Sequence, residues 1–202
     1  GQILYATDFS DAEEYQHHWT ATGGSWNING GALNQTSTTM QGQCNVCPIP
    51  CGENYTLELD ATKNSGNEGF LVAFCYDDPN NYIWWNLGGG NNSQHAIEQC
   101  SGGSKRTLTQ LAGSLRQGQT YHLRIVKEGG DIYCYLDNTL CHHITLPPSR
   151  KLYTCAALNQ AEDTLIVKFI NLGQAQDAIL RFKDFQYTGQ IEQQLLTSAS
   201  GA

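Results

Sequence analysis

Three short apolar runs decide the fold: Phe70-Leu-Val-Ala-Phe-Cys-Tyr76, Tyr82-Ile-Trp-Trp-Asn-Leu87 and His95-Ala-Ile-Glu-Gln-Cys100. Because Asp, Pro, Asn and Gly residues fill the gaps between them, the stretch predicts a meander of antiparallel strands. The segment Tyr55-Thr-Leu-Glu-Leu-Asp-Ala61 precedes it and alternates strictly between apolar and polar side chains. Such alternation is typical of a strand with one buried and one solvated face.

Similar strand signals continue on both sides of this stretch, and no segment shows a sustained helical period. Many short strands separated by turns predict an all-β protein, built as an antiparallel β-sandwich or jelly roll. The further predicted strands cover residues 3–5, 26–28, 32–36, 107–111, 120–126, 152–157, 164–170 and 178–182, together with a hairpin over residues 131–144.

The segment Pro147-Pro148-Ser149-Arg150 interrupts the strand pattern and is the best candidate for a domain boundary. We therefore expect a β-sandwich over residues 1–148 and a small additional β segment over residues 149–202. A segment of about 50 residues has little room for a hydrophobic core of its own. We expect it to pack against the first domain or against further sequence.

Composition and charge narrow the choice of partners. Only 15% of the residues are charged, whereas 21 are Gly and 10 are Tyr, which is typical of turn-rich extracellular β proteins. The formal net charge of −8 argues against nucleic acid as a partner, because binding to phosphates relies on Lys and Arg. No apolar run approaches the roughly 20 residues that a membrane-spanning helix needs, so we expect no membrane partner.

Eight cysteines favour an oxidising compartment, and hence a secreted, periplasmic or cell-surface protein. One pair can be argued from the sequence. If Asp137-Asn138 forms the two-residue turn of a hairpin, Cys134 lies opposite Cys141, and Leu136 lies opposite Thr139. Cross-strand neighbours are close enough for a disulfide. Two half-buried free thiols are the alternative.

Two clusters raise the question of a metal. Cys44, Cys47 and Cys51 have a spacing that suits zinc, but no second pair of Cys or His follows, so a disulfide plus one other pairing partner is favoured. Asp77 and Asp78 are candidate calcium ligands, and calcium is the cofactor that the sequence leaves open. The same two residues, followed by Pro and Asn, also suit an ordinary turn between two strands.

The block of Trp, Asn and Gly residues resembles a known module. Residues 68–98, which include Asn81-Tyr-Ile-Trp-Trp-Asn-Leu-Gly-Gly, look like the concanavalin-like, laminin-G-like module of some family 51 α-L-arabinofuranosidases. The segment Trp26-Asn-Ile-Asn-Gly-Gly-Ala-Leu33 resembles the entry of that module. Residues 152–198, with Leu165-Ile-Val-Lys-Phe-Ile-Asn-Leu-Gly, resemble the start of the C-terminal β domain of the same enzymes.

This resemblance implies an accessory piece of a glycoside hydrolase. Family 51 enzymes use one Glu as acid/base and one as nucleophile on a (β/α)8 barrel, and this chain has neither sequence context nor the length of a barrel. We therefore expect no catalytic residue, and a module that binds arabinose-containing plant polysaccharide such as arabinan or arabinoxylan, or that positions the enzyme on it. The partners would be that polysaccharide and the catalytic barrel of the parent enzyme. The alternative is a domain that only packs against the barrel.

A further alternative is a divergent concanavalin-like glycoside hydrolase. Such enzymes place acidic residues at alternate positions on one strand, so that the carboxylates share a face and flank the glycosidic bond. Glu58 and Asp60 match the first half of that pattern, but Lys63 stands where the next acidic residue is required. We interpret Glu58 and Asp60 as two solvated carboxylates on a half-buried strand.

The segment around the two tryptophans is the candidate ligand site. Sugars present apolar C–H faces that stack on aromatic rings, and hydroxyl groups that suit Asn, His and Glu side chains. Because side chains alternate along a strand, Trp84 and Trp85 should point to opposite faces of the sheet. In the alternative, both rings pack, one in the core and one beneath a loop or a neighbouring domain. The candidate ligand-binding residues are Trp84, Trp85, Asn86, Asn92, His95 and Glu98.

Overall fold

The computed structural model describes residues 1–37, 44–147, 152–171, 180, 181, 189, 192 and 194. The chain divides into two compact units, Gly1–Pro148 and Ser149–Ala202. Within the described ranges, no helix is both long enough and apolar enough to cross a membrane. The two predicted metal clusters and all six candidate ligand residues belong to the first unit.

The first unit opens with a short helix and two small strand pairs. The helix begins after Asp11, whose carboxylate accepts hydrogen bonds from the backbone N–H groups of Glu13 and Glu14 and so caps its first turn. The elements are α1 (Ala12–His18), β1 (Thr20–Ala21), β2 (Trp26–Ile28), β3 (Leu33–Gln35) and β4 (Asn45–Val46), with β1 paired to β4 and β2 paired to β3, both antiparallel.

The predicted strand over residues 3–5 is wrong, because the structure assigns no strand there. Side-chain bonds to the helix and the residue after it hold this segment instead. The Tyr5 hydroxyl donates a hydrogen bond to Glu14 and accepts one from the Trp19 indole nitrogen at 3.0 Å. Residues 3–5 are therefore held through the Tyr5 side chain, and their backbone is not paired with another strand.

Two four-stranded antiparallel sheets make up the rest of the first unit, which confirms the predicted all-β antiparallel fold. The elements are β5 (Asn54–Thr62), β6 (Phe70–Asp78), β7 (Asn81–Gly88), the four-residue turn α2 (Gly89–Asn92), β8 (Gln94–Ser101), β9 (Ser104–Ala112), β10 (Thr120–Glu128), β11 (Asp131–Leu136) and β12 (Thr139–Thr145). The first sheet has the strand order β6-β7-β8-β9, and the second has the order β12-β11-β10-β5.

One hydrophobic core lies between the two sheets, as expected of a sandwich. Each sheet sends alternate side chains inward, because successive residues of a strand point to opposite faces. Removing each large apolar side chain from water contributes about 1.5–3 kcal/mol to folding. The fully buried residues at the centre are Trp85, Leu87 and Ile97 from the first sheet and Leu123, Ile125, Ile132 and Cys134 from the second.

The glycine-rich segment after β7 forms a tight left-handed turn. Gly88, Gly90, Asn91 and Asn92 have φ angles of 71°, 60°, 59° and 60°. Gly adopts this conformation without steric penalty, and Asn tolerates it better than most residues. The run of Gly and Asn is therefore explained by backbone geometry, which brings the start of β8 back alongside the end of β7.

The hairpin between β11 and β12 agrees with the prediction at its turn and departs from it farther along. Asp137 and Asn138 both have positive φ angles, 48° and 65°, as a two-residue hairpin turn requires. Leu136 lies opposite Thr139 as predicted. A β-bulge then shifts the register, so that Cys134 lies opposite His142, and the predicted register with Cys134 directly opposite Cys141 is wrong.

The described part of the second unit is an antiparallel hairpin of β13 (Leu152–Asn159) and β14 (Thr164–Asn171). A third strand was predicted over residues 178–182; of these, only 180 and 181 are described, and they are not in a strand. The hairpin leaves several large apolar side chains exposed, and a two-stranded hairpin alone is marginally stable in water. These exposed residues are Tyr153, Leu158, Ile166, Phe169 and Ile170.

Candidate functional site

The six candidate ligand residues lie on β7, α2 and β8, and the five on the strands are divided between the two faces of the first sheet. Trp84 is paired with Glu98 and Trp85 with Ile97. Because the sheet alternates, Trp84, Asn86 and Glu98 share the face turned away from the core, which we call the outer face. Trp85 and His95 share the core face. The prediction that the two tryptophans point to opposite faces is confirmed.

Trp85 belongs to the hydrophobic core and is 0% exposed. Its ring meets the His142 ring edge-on, with 6.2 Å between centroids and an interplanar angle of 90°. The Trp85 indole nitrogen has no hydrogen-bond partner among the described residues, and neither does Nε2 of His142. A ring in this position joins the two sheets and offers no face to a ligand.

His95 holds the glycine-rich turn in place from the core side. The side chain is 4% exposed, and its Nδ1 accepts a hydrogen bond of 3.0 Å from the Gly88 backbone N–H. Burial lowers the pKa of His95, so the ring is neutral and free to accept this bond. A Cβ atom at Gly113 would lie 2.3 Å from the His95 ring, so only glycine fits beside it.

Asn92 fastens the same turn to the loop before β10. Its side-chain amide donates to the Leu115 carbonyl at 2.8 Å, and its amide oxygen accepts from the Leu115 N–H at 2.7 Å. Both polar ends of Asn92 are thereby used within the chain. The structure thus places Asn92 and His95 as supports of the turn, and their predicted contact with a ligand remains a prediction.

The outer-face residues form one hydrogen-bonded group. The Trp84 indole N–H donates to Oε2 of Glu98 at 2.6 Å, and the Asn86 amide donates to the same oxygen at 3.3 Å. The Lys105 ammonium lies 5.0 Å from the centroid of the Trp84 ring, within the range of a cation–π contact. Glu98 is therefore held in a fixed orientation by two donors.

Trp84 is only 4% exposed, so little of its ring is open to a ligand. The Tyr82 ring packs against it, with 5.0 Å between centroids, and Tyr76 stacks on Tyr82 in turn. Burial raises the pKa of Tyr82 to about 12, and Cys100 beside it acts in the same direction. Both tryptophan rings are therefore packed inside the protein, as in the alternative given above. Their burial does not support stacking of a sugar on either ring.

Asn86 and Glu98 are the half-buried polar residues next to Trp84 on the outer face. Among the described residues, no hydrogen bond reaches Oε1 of Glu98 or Oδ1 of Asn86. Asn86 is seated over Gly89, where a Cβ atom would lie 2.7 Å from the Asn86 amide nitrogen. Leu71 is paired with Asn86 and is 37% exposed. A carboxylate, an amide and an apolar side chain thus meet on one small area.

On the second sheet, the face turned away from the core carries charged and aromatic residues that form ion pairs and ring contacts with one another. His122 contacts Asp60 at 2.8 Å, and Arg124 lies 3.9 Å from Glu58 and 4.0 Å from the Tyr135 ring centroid. Glu58 and Asp60 are more than half exposed, which agrees with their interpretation as solvated carboxylates.

The aromatic part of that second face was missed by sequence reasoning. Tyr133 and His143 stack face to face, with 4.3 Å between centroids. The alternation of Tyr133 and Tyr135 with buried Cys134 was the signal that could have found it. His143 covers one side of the Tyr133 ring, and Arg124 covers one side of the Tyr135 ring. This face therefore presents hydroxyl and charged groups more than flat ring surfaces.

The calcium candidates are placed in a turn. Oδ1 of Asp78 accepts from the Asn80 backbone N–H at 2.7 Å and from the Asn81 amide at 3.0 Å, and these bonds lower the pKa of Asp78. In the part of the chain that the structure describes, no three His, Cys, Asp or Glu side chains come together as a metal site would require. Calcium at Asp77 and Asp78 stays a prediction.

Comparison with known proteins supplies two matches, and no protein-family profile matches the chain. An extracellular exo-α-L-arabinofuranosidase of Streptomyces chartreusis is 39% identical over 182 residues, which is 87% of this chain and 21% of the enzyme. The chain therefore spans about a fifth of the length of that relative. The carbohydrate-binding module CBM66 from Bacillus subtilis has a similar fold, with a TM-score of 0.54, over 63% of this chain and 79% of that one. At 22% identity, this likeness concerns the fold alone.

Proposed function

We propose that this chain is a non-catalytic carbohydrate-binding module of an extracellular α-L-arabinofuranosidase of the family 51 type. The observation that carries the proposal is the match to about a fifth of an extracellular exo-α-L-arabinofuranosidase, by a chain whose fold is similar to that of a carbohydrate-binding module. The substrate class we propose is arabinose-containing plant polysaccharide, with arabinan and arabinoxylan as the first ligands to test.

The proposed contact point is the group formed by Asn86 and Glu98. The free oxygen of Glu98 can accept hydrogen bonds from two adjacent sugar hydroxyls, and a charged acceptor makes the stronger bonds. Asn86 can both accept and donate. Trp84 acts as a positioning residue, because its indole N–H fixes Glu98 without meeting the ligand. Leu71 offers an apolar surface for the C–H groups of the ring.

Binding through so few polar groups should be weak. We expect a dissociation constant of about 0.1–1 mM, which corresponds to roughly 4–5.5 kcal/mol. Weak contact at a single sugar is sufficient for a module that keeps an attached enzyme near its polymer, because attachment raises the effective local concentration.

Glu98→Gln is expected to reduce affinity for an arabino-oligosaccharide at least tenfold. The change keeps the acceptor for Trp84 but removes the charge, and a hydrogen bond to a charged group is worth about 1.5–3 kcal/mol. Calorimetric titration of the variant measures the loss. Glu58→Gln, on the outer face of the second sheet, is the matched control and should bind as the unmodified chain does. An equal loss of affinity in both variants, or no loss in either variant, would contradict the assignment of the site.

A structural role is the second candidate, and burial of both tryptophans favours it. In that case the module packs against the catalytic barrel of the parent enzyme, helped by the exposed apolar residues of β13 and β14. The two roles separate in the full-length enzyme. If the role is only structural, deletion of the module lowers thermal stability and leaves the affinity for polysaccharide unchanged.

The chain alone should not hydrolyse aryl arabinofuranosides, because both family glutamates and their barrel are absent from it. Release of nitrophenol from a nitrophenyl arabinofuranoside, followed over hours, checks this expectation. Turnover that persists through repurification and disappears in Glu58→Gln or Asp60→Asn would contradict it. That outcome would favour a divergent concanavalin-like hydrolase.

A further inference from the structure

The β-bulge in the β11–β12 hairpin brings two cysteines to the same point of the core. On β11, Cys134 faces inward and is 0% exposed. On β12, Leu140 is paired with Tyr135 and His142 with Cys134, and Cys141 between them has no partner residue on β11. In a bulge, two residues of one strand oppose a single residue of the other. Cys141 and His142 therefore face Cys134 together.

The direction of the Cys141 side chain supports this arrangement. Leu140 points outward and is 49% exposed, and His142 points inward and is 3% exposed. In a regular strand Cys141 would point outward, because its neighbour His142 points inward. It nevertheless packs against the core cluster that contains Cys134. Two consecutive inward side chains place both thiols on one side of the sheet.

The separation of neighbouring strands suits a disulfide. Residues that face each other across antiparallel strands have Cα atoms about 4.5–5.5 Å apart. Disulfides span Cα separations of roughly 4.4–6.8 Å. A regular pairing of Cys134 with His142 alone would leave Cys141 on the wrong face, so the bulge is the feature that makes the bond reachable.

We propose that Cys134 and Cys141 form a disulfide that closes the β11–β12 hairpin across its bulge. The reaction is a thiol–disulfide exchange with a low-molecular-weight disulfide such as glutathione disulfide. Each cysteine loses one proton and one electron, one S–S bond forms in the protein, and the oxidant's S–S bond is reduced to two thiols.

Burial of the two thiols determines when during folding this exchange occurs. Burial raises the pKa of Cys134 to about 12 and raises the pKa of Cys141 as well. Since the thiolate is the attacking species, the folded hairpin reacts slowly. The bond therefore forms while the chain is still open, and afterwards the core shields it from reductants.

Peptide mapping tests the proposal directly. The reduced, unfolded full chain is refolded in a mixture of glutathione and glutathione disulfide, unfolded again, alkylated with iodoacetamide without reductant and cut with trypsin. Cleavage after Lys127 and Arg150 yields the peptide 128–150, which contains Cys134 and Cys141 and no other cysteine. We expect this peptide unalkylated and lighter by two hydrogens than its reduced form.

The peptide 152–168 serves as the internal control, because Cys155 is its only cysteine. Two alkyl groups on peptide 128–150, or its linkage to any other peptide, would overturn the proposal.

A second measurement keeps the test independent of the yield of refolding. In the folded oxidised protein, dithiothreitol should leave the bond intact for hours, whereas it should reduce it within minutes in denaturant. The variants Cys134→Ala and Cys141→Ala, alone and together, provide a thermodynamic cycle. If the two residues are bonded, the double variant lowers the melting temperature no more than the worse single variant. Additive shifts in the oxidised protein would contradict the bond.

Discussion

Trp85→Ala is expected to destabilise the first unit by about 3–5 kcal/mol, a large share of the roughly 5–15 kcal/mol that holds a typical domain folded. Trp85 is 0% exposed and lies at the centre of the core shared by the two sheets. Its removal leaves a cavity that neither sheet can close without moving the other. Urea denaturation, followed by far-ultraviolet circular dichroism, measures the loss.

Leu71→Ala is the matched control for that measurement. Leu71 is on the neighbouring strand β6, but it points to the outer face and is 37% exposed. Its loss should cost about 1 kcal/mol or less. If Leu71→Ala destabilises the protein as much as Trp85→Ala, the assignment of the core face is wrong.

Mild acid is expected to weaken the sandwich through its buried histidines. Burial lowers the pKa of His142 to about 4 from an ordinary value of 6.5, and it lowers the pKa of His95 too. The unfolded chain therefore binds these protons at a higher pH than the folded chain. The stability is complete above pH 6.5 and is lost progressively as the pH falls from 6.5 to 4. His142 alone accounts for about 3 kcal/mol over that interval.

Carboxylates act in a different pH range. The folded-state pKa values of Asp78 and Asp131 lie below 3.8, so their stabilisation persists above 3.8 and is lost only at lower pH. Urea unfolding at pH 7, 5.5 and 4.5 isolates the histidine effect. His142→Phe, which keeps a ring against Trp85, should flatten the pH dependence and leave only the part due to His95. A slope that is the same in this variant would contradict the account.

The strand pattern was readable from the sequence because it depends on local periodicity. The opposite orientations of Trp84 and Trp85 follow from alternation alone, and the turn at Asp137 and Asn138 follows from residue type. The bulge at Cys141 could not be read in this way. It depends on how the inward side chains of β12 fit between the two sheets, and no residue type marks the extra position.

The candidate site was only partly readable for a related reason. Asn92 and His95 have the side chains of ligand-binding residues, but both are used within the chain. His95 accepts a hydrogen bond from the Gly88 N–H of the left-handed turn, and Asn92 bonds the backbone of Leu115 in the loop before β10. The burial of Trp84 depends on the stacked rings of Tyr76 and Tyr82, which lie on the outer face with it. The bonds of Trp84 and Asn86 to Glu98 required the pairing register of β7 and β8.

The most direct test of the proposed function is a calorimetric titration of the whole chain with arabino-oligosaccharides from arabinan and arabinoxylan. Unsubstituted xylo-oligosaccharides of similar length are the control. The account predicts a dissociation constant of about 0.1–1 mM for the arabinose-containing ligands and no binding to the control. No heat of binding with any arabinose-containing ligand at about 10 mM, tenfold above the weakest expected constant, would contradict it and leave the structural role as the explanation of the fold.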